Sequence, residues 1–520
     1  MAPTYLSPGV YVEEVDGGSK PIALAGTAVA AFVGFARKGP ANTPTLVTNW
    51  TQYVDNFGDF MEGSYLGHSV YGYFNNGGGR AYIIRVGAAE GADEGGTAQA
   101  ALPSRAPTPA DTLRIETIAP AEEAGDVTVE VSDATPPEEG EAPDDVFKVT
   151  VRGGGVEEVF DNLTLRRGRN ARNVEQVVND PETGSNLIRI TDLGAGGSMA
   201  ERRPNLGTFN LAGPQAVTTD IAVAPSDFEG SAADRTGMGG LEAADDVTMV
   251  IAPDLMSAYQ AGMIDLTGVQ AVQTAMIGHC ERMGNRVAIL DAPPDMKPQE
   301  IENWRVNIAN YDSSYAALYY PWIRIFDPVT GKPINMPPSG HIAGIWSRND
   351  DTRGVHKAPA NEVVGGAIDV EFQITKGEQD GLNPVGINCI RAFPGRGIRV
   401  WGARTLSSDP AWRYINVRRL FNMVEASIDT GTQWVVFEPN DFALWQRLKR
   451  DVTSFLTIIW RTGALFGATP SDAFYVKCDE ETNPPEQRDL GMVVTEIGIA
   501  PVKPAEFVIF RISQYAPGAE

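Results

Sequence analysis

Cysteine and histidine are scarce in this chain of 520 residues, with three of the first and four of the second. Cys280, Cys389 and Cys478 are odd in number and far apart, which argues against a disulfide framework or a zinc site and predicts reduced, buried thiols. His68, His279, His341 and His356 show no metal-ligand spacing. Long apolar runs are missing too: none approaches the ~18 residues that a membrane span requires. The opening "MAPTYLSPGVYVEEV" has no basic region followed by an apolar stretch, so it reads as neither a cleaved signal nor a membrane anchor. Positive charge is in deficit, with 42 Lys and Arg against 67 Asp and Glu and a net charge of -25. That balance argues against nucleic acid as the main partner, because phosphate binding relies on Lys and Arg.

A composition of 42% hydrophobic and 21% charged residues is that of an ordinary globular protein, and the length suggests roughly two to four domains. The charge is unevenly spread. Residues 91 to 235 carry a net -14, whereas 376 to 461 carry a net +4. One region repels most acidic surfaces and the other attracts them.

The pattern of elements is α/β. "GTAVAAFVGFA" predicts a strand, "TNWTQYVDNFG" a helix capped by Thr48 or Asn49 and closed at Gly58, "SYLGHSVYGYFNN" a second helix, and "RAYIIRV" a strand. A linker-like texture follows Val86, and then short strands such as "DVTVEVS" and "VFKVTV" appear between acidic Pro/Gly turns, which predicts an inserted β-rich domain. Alternation resumes with "VTMVIA", the helix "VQAVQTAMIGHCERMG" and the strand "RVAILDAPP". Two helical segments, "WRYINVRRLFNMVEASI" and "DFALWQRLKRDVTSFLTIIWRTGAL", precede "DAFYVKC" and "LGMVVTEIGIA". Both termini carry β-prone arms: "GVYVEEV", with Val10, Tyr11 and Val12, and "APVKPAEFVIFRI", with Phe507, Val508, Ile509 and Phe510. The last four have no polar alternation, the pattern of a strand covered on both faces.

No active site is legible. "PPSGHIAGIWSRND" brings Ser339, His341 and Asp350 close in sequence, but a Ser and a His two residues apart at a helix start project in different directions, so Ser339 reads as a cap. "FPGRGIRVWGAR" lacks the third glycine and the strand-to-helix context of a dinucleotide loop, and no phosphate-binding Gly-x-x-x-x-Gly-Lys is present. The pairs Asp350-Asp351 and Glu13-Glu14 read as solvated charges. The expectation is a protein that is not an enzyme, with no cofactor and no metal.

Seven stretches carry a family resemblance: "SPGVYVEEV", "NNGGGRAYIIRV", "YYPWIRIFDPVTGK", "PPSGHIAGIWSRNDDTRGVHKAPAN", "LNPVGINCIRAFPGRGIRVWGARTL", "WRYINVRRLFNMVEASI" and "APVKPAEFVIFRI". In this order they resemble the sheath protein of contractile phage tails and of phage-tail-like injection systems. The resemblance implies a multidomain α/β (α+β) subunit with an N-terminal arm (1-20), an α/β core in two parts (21-94 and 236-375), a β-rich acidic outer insertion (95-235), an inner domain facing the tube (376-499) and a C-terminal arm (500-520). It implies arms that leave their own subunit and add strands to sheets of neighbours. It also implies helical self-assembly around an inner tube protein, with baseplate and cap proteins as further partners. Direct membrane insertion and nucleic-acid binding are not expected. Candidate tube-facing bases are Arg447 and Arg450, on the polar face of their helix, and Arg418 and Arg419, of which one is alternatively an internal ion-pair partner. The expected setting is a particle assembled in the bacterial cytoplasm and released on lysis; the alternative is a phage virion tail. Rival classes are a non-contractile filament protein and a carbohydrate-active enzyme.

Overall fold

The computed structural model describes residues 21–87, 97–107, 109–120, 127–136, 143–168, 171–180, 183–194, 196–211 and 223–511. The expected N-terminal arm with Val10, Tyr11 and Val12 lies outside these residues. The largest unit is built on an eight-stranded sheet in the spatial order Gly397–Val400, Ile387–Phe393, Ala316–Tyr320, Val287–Asp291, Met249–Ile251, Val29–Gly34, Arg80–Arg85 and Thr45–Val47. The six inner strands are parallel and the two edge strands antiparallel. Continuous apolar runs such as "VAAFVG" follow from this position, because helices cover both faces of a parallel sheet. Val29, Ala31 and Val33 pack on one side with the helix Leu266–Met283. Ala30 and Phe32 pack on the other with the helices Trp50–Phe57, Leu66–Asn75 and Ser339–Arg353.

Local signals set the helix ends. Asn49 Oδ1 accepts from the Gln52 amide at 2.9 Å and Gly58 closes the first helix at φ 84°, as expected for an N-cap and a glycine stop. Asp265 caps Leu266–Met283 by accepting from Gly268 N at 2.7 Å. Glycines also permit close packing of two helices: a methyl group on Gly72 would come within 2.3 Å of the His341 ring, and one on Gly344 within 2.4 Å of the Tyr73 carbonyl.

The described part of the insertion forms two antiparallel sheets around their own core, which includes Leu113, Val129, Phe147, Val149 and Ile190. Its hairpin Phe147–Gly153 to Val156–Leu163 turns at Gly154 and Gly155, both at positive φ, the backbone a tight two-residue hairpin demands. Two expected boundaries shift. Val223 and Phe228 pack in the α/β core, so the insertion ends before 223 and not at 235. The strand Ile387–Phe393 pairs with Ala316–Tyr320, so the α/β layer continues past 375 to Val400.

The last unit consists of the helices Ile415–Thr432 and Phe442–Arg461 and a two-stranded hairpin, Phe474–Lys477 with Glu496–Ile499. Leu420, Val424, Val452, Phe455, Leu456, Ile459 and Phe474 form its core. The apolar set of Phe442–Arg461 recurs at helical spacing, and Asp441 caps the helix through Leu444 N at 2.8 Å.

Candidate functional site

In an open parallel sheet, ligands bind beyond the carboxyl ends of the strands. Here that position is filled. Asp254, beyond Met249–Ile251, accepts from Phe35 N at 2.6 Å, from Ser64 Oγ at 2.8 Å and from Tyr65 N. Asp291, at the end of Val287–Asp291, accepts from Ser339 N at 2.9 Å and Ser339 Oγ at 2.5 Å. Both carboxylates are buried. Burial pushes Asp254 up to about 6 and Asp291 up to about 7, against the lowering pull of their donors. They tie strand ends to the neighbouring helices.

The Ser, His and Asp of "PPSGHIAGIWSRND" serve three separate purposes. Ser339 does not cap its helix with its side chain, as expected from sequence; it clamps Asp291. His341 is buried against Gly72, and desolvation lowers it to about 4. Asp350 pairs with Arg419 at 2.5 and 2.9 Å. His68 meets Asp327 at 3.0 Å in a buried pair. The three cysteines are buried and free, and desolvation raises Cys280 and Cys389 to about 12. Among the described residues no cluster of His, Cys, Asp or Glu is arranged to hold a metal ion, and no helix is long and apolar enough to cross a membrane.

Of the four candidate tube-facing arginines, two are internal. Arg418 bonds Asn422 at 2.6 Å and Glu425 at 3.2 Å, and its guanidinium stacks on Tyr315 and Trp412 at 4.6 and 4.3 Å. Arg419 pairs with Asp350, donates to the Thr27 carbonyl at 2.8 Å and lies 4.7 Å over Trp346. Both are buried, so their assignment to a surface is corrected: Ile415–Thr432, a helix of the last unit, packs against the α/β layer, and these two charges serve as internal struts. Sequence reasoning offered one of the two as an internal ion-pair partner but missed the aromatic partners, of which Tyr315 and Trp346 are far away in sequence. Arg447 is half-buried, pairs with Glu438 at 3.3 Å and lies over Trp434, while Arg450 is exposed and contacts Asp451.

The surface that stands out is the C-terminal segment. Ala500 N bonds the Ala473 carbonyl at 2.8 Å, Val502 N bonds the Ala464 carbonyl at 3.1 Å, and Asn416 Nδ2 holds the Val502 carbonyl at 3.1 Å. Glu506 then makes the last anchor: it accepts from Arg404 at 2.9 and 2.7 Å, from Asn383 at 2.7 Å and from Tyr414 at 3.0 Å. Although desolvation opposes ionisation, Arg404 and the other donors hold its carboxyl below the usual range. The next four residues touch almost nothing. Phe507, Val508, Ile509 and Phe510 are 72, 68, 79 and 84% exposed and form no strand in the isolated chain. Four consecutive large apolar side chains in water mark an interaction surface. Phe437, at φ 68° on the loop before Phe442–Arg461, is also fully exposed beside Val436.

Among the described residues, Asp254, Asp291 and Asp350 are taken up by partners inside the fold, and the apolar run Phe507–Phe510 is uncovered. Two family models match in tandem: the phage tail sheath protein central domain over residues 247–406 and the phage tail sheath C-terminal domain over 407–514. Together they span just over half of the sequence, and the chain belongs to the tail sheath family. It is 23% identical over 378 residues to the tail sheath protein of Salmonella phage ViI, an alignment covering 67% of this chain and 58% of that one. The chain spans between about a third and three-fifths of the length of the curated relatives it matches. Two solved sheaths share the fold from end to end. The anti-feeding prophage helical sheath in its contracted state aligns at TM-score 0.58 and 23% identity, covering 98% of this chain and all of that one. The sheath complex of the extracellular contractile injection system PVC, also contracted, aligns at TM-score 0.55 and 22% identity over 99% of both chains.

Proposed function

We propose that this chain polymerises as a helical sheath around an inner tube and drives that tube through a target envelope when the sheath contracts. The observation that carries the reading is the terminal run Phe507–Phe510, stripped of contacts immediately after the Glu506 anchor. A second copy supplies its cover by β-augmentation, in which main-chain hydrogen bonds and buried side chains link subunits. The acceptor is the hairpin Phe474–Lys477 with Glu496–Ile499, which has no third strand among the described residues and whose strands are four residues long, the length of the run.

The work of contraction comes from differences in inter-subunit contacts between an extended and a contracted lattice, so no catalytic residue, nucleotide or metal is needed. Arg447 and Arg450 face the tube and make weak, screened contacts with acidic patches on it, which lets the sheath slide. Baseplate and cap proteins bind the two ends of the sheath. The end-to-end fold match to two injection-particle sheaths supports a phage-tail-like injection system, assembled in the bacterial cytoplasm, over a virion tail. Electron microscopy of the purified chain with its tube tests the reading. Striated tubes of two lengths support it; tubes of a single length indicate a non-contractile filament, and a lasting monomer contradicts it.

A further inference from the structure

The arm leaves its subunit along a groove of ≈ 1070 Å³ whose walls include Arg353, Lys376, Arg391, Trp401 and the segment Val502 to Val508. In a chain of net charge -25 this groove is basic. Arg353, Lys376 and Lys503 are exposed and form no ion pair among the described residues. Arg391 lies 5.3 Å over Phe393, and its buried Nε has no hydrogen-bond partner. The acids in the groove are Asp380 and Glu506, and the second is already taken up by Arg404.

The opposite charge lies at the far end of the acceptor hairpin. Between Lys477 and Glu496 the chain forms a lobe in which Glu480, Glu486 and Asp489 are exposed and unpaired among the described residues, whereas Glu481 pairs with Lys477. Its one arginine, Arg488, lies 6.0 Å from Trp445. Reach connects the two surfaces. Four extended residues beyond Glu506 span only ~13 Å, so whichever sheet takes up Phe507–Phe510 sits beside the groove, and the lobe that tips that sheet comes with it.

We infer that the acidic lobe of one subunit, residues 479–489, seats in the basic groove at the root of another subunit's arm. The inference rests on the arm-exchange reading and adds an electrostatic latch to it: three unpaired bases meet three unpaired acids. Such a contact gives register and specificity more than raw affinity, and weakens with salt.

Charge reversal and restoration in the full-length chain test it. One variant carries Arg353→Glu, Lys376→Glu and Lys503→Glu; another carries Glu480→Lys, Glu486→Lys and Asp489→Lys; a third carries all six. The readout is the protein concentration at which sheath sediments. Each triple variant raises that concentration about tenfold or more, and the six-fold variant returns to near the parent value. A milder Arg353→Gln, Lys376→Gln, Lys503→Gln variant, with its monomer melting temperature measured, guards against misfolding and shifts assembly in the same direction. Groove reversal without effect, or a six-fold variant no better than the triples, overturns the latch. So does a groove reversal that destabilises the monomer and is not rescued by the lobe, since the occupant is then a segment of the same chain. The Phe507→Asp, Ile509→Asp variant separates the two levels: if it assembles normally, the arm reading itself fails; if it does not while the charge variants do, only the latch is lost.

Discussion

Replacing Glu506 with alanine removes the anchor from which the arm departs. The carboxylate accepts two hydrogen bonds from Arg404 and one each from Asn383 and Tyr414, and the side chains of Arg404 and Glu506 are 10 and 19% exposed. Breaking a buried ion pair by removing one partner costs ~3–5 kcal/mol; solvent reaches part of this pair, so the cost here is about 2–3 kcal/mol. Arg404 keeps a 3.3 Å contact to the Asn383 carbonyl, which softens the loss. With ~2–4 °C per kcal/mol for a unit of 150–250 residues, the melting temperature of the unassembled subunit falls by about 5–10 °C. Glu506→Gln, which retains hydrogen-bond acceptance without the charge, falls by less. The titration has a definite sign. The folded-state value is lowered, so the anchor's contribution is present above the unfolded value of 4.5 and is lost as pH drops through the folded one. The alanine variant is flat across that window. A double-mutant cycle with Arg404→Ala measures the pair directly, and coupling above ~1 kcal/mol is expected. A Glu506→Ala subunit that melts with the parent, with no coupling to Arg404, refutes the docked root.

Asp291 gives the opposite pH dependence: burial raises it from 3.8 to about 7, so stability is fully present below pH ~4 and declines as pH rises to ~7, by at most about 4 kcal/mol. Asp291→Asn removes most of that slope in thermal melts at pH 5 and 7.5, and an unchanged slope contradicts the assignment. Arg419→Ala strands Asp350 in the interior and lowers monomer stability by ~3–5 kcal/mol, whereas Arg450→Ala stays within ~0.5 kcal/mol and weakens only retention of the tube. Gly344→Ala places a methyl group 2.4 Å from the Tyr73 carbonyl; it forces two helices apart and costs ~1–3 kcal/mol in denaturant melts, while Gly377→Ala, which meets open space, does not.

Much of the α/β layer was legible because its signals are local. The cap at Thr48 or Asn49, the stop at Gly58 and unbroken apolar strands read directly from neighbouring residues, whereas the cap at Asp265 appeared only in the structure. Strand order was not legible, since pairing Val29–Gly34 with Met249–Ile251 closes a gap of more than 200 residues that no local pattern records. The domain borders failed for the same reason. Phe228 looks like the tail of the insertion in sequence yet packs into the sheet's core, and Ile387–Phe393 follows a turn-rich stretch yet completes the same sheet. Arg418 and Arg419 show the limit of reading charge as exposure, because their aromatic and carboxylate partners sit on other elements. The terminal run was readable as an apolar stretch in need of cover, although it forms no strand in the isolated chain. Its surroundings were not, because Arg404, Asn383 and Tyr414, which fix where it leaves the fold, are scattered over the preceding 123 residues.

The most direct test of the account compares two properties of the Phe507→Asp, Ile509→Asp chain: the melting temperature of the monomer and the yield of sedimented sheath. Both side chains are more than two-thirds exposed in the isolated subunit, so the monomer keeps its transition. In the assembly the same changes place unpaired charges in an apolar sheet between subunits, and sheath yield collapses. A variant monomer that melts many degrees lower, or one that still builds sheath at the parent yield, contradicts the exchange of C-terminal arms.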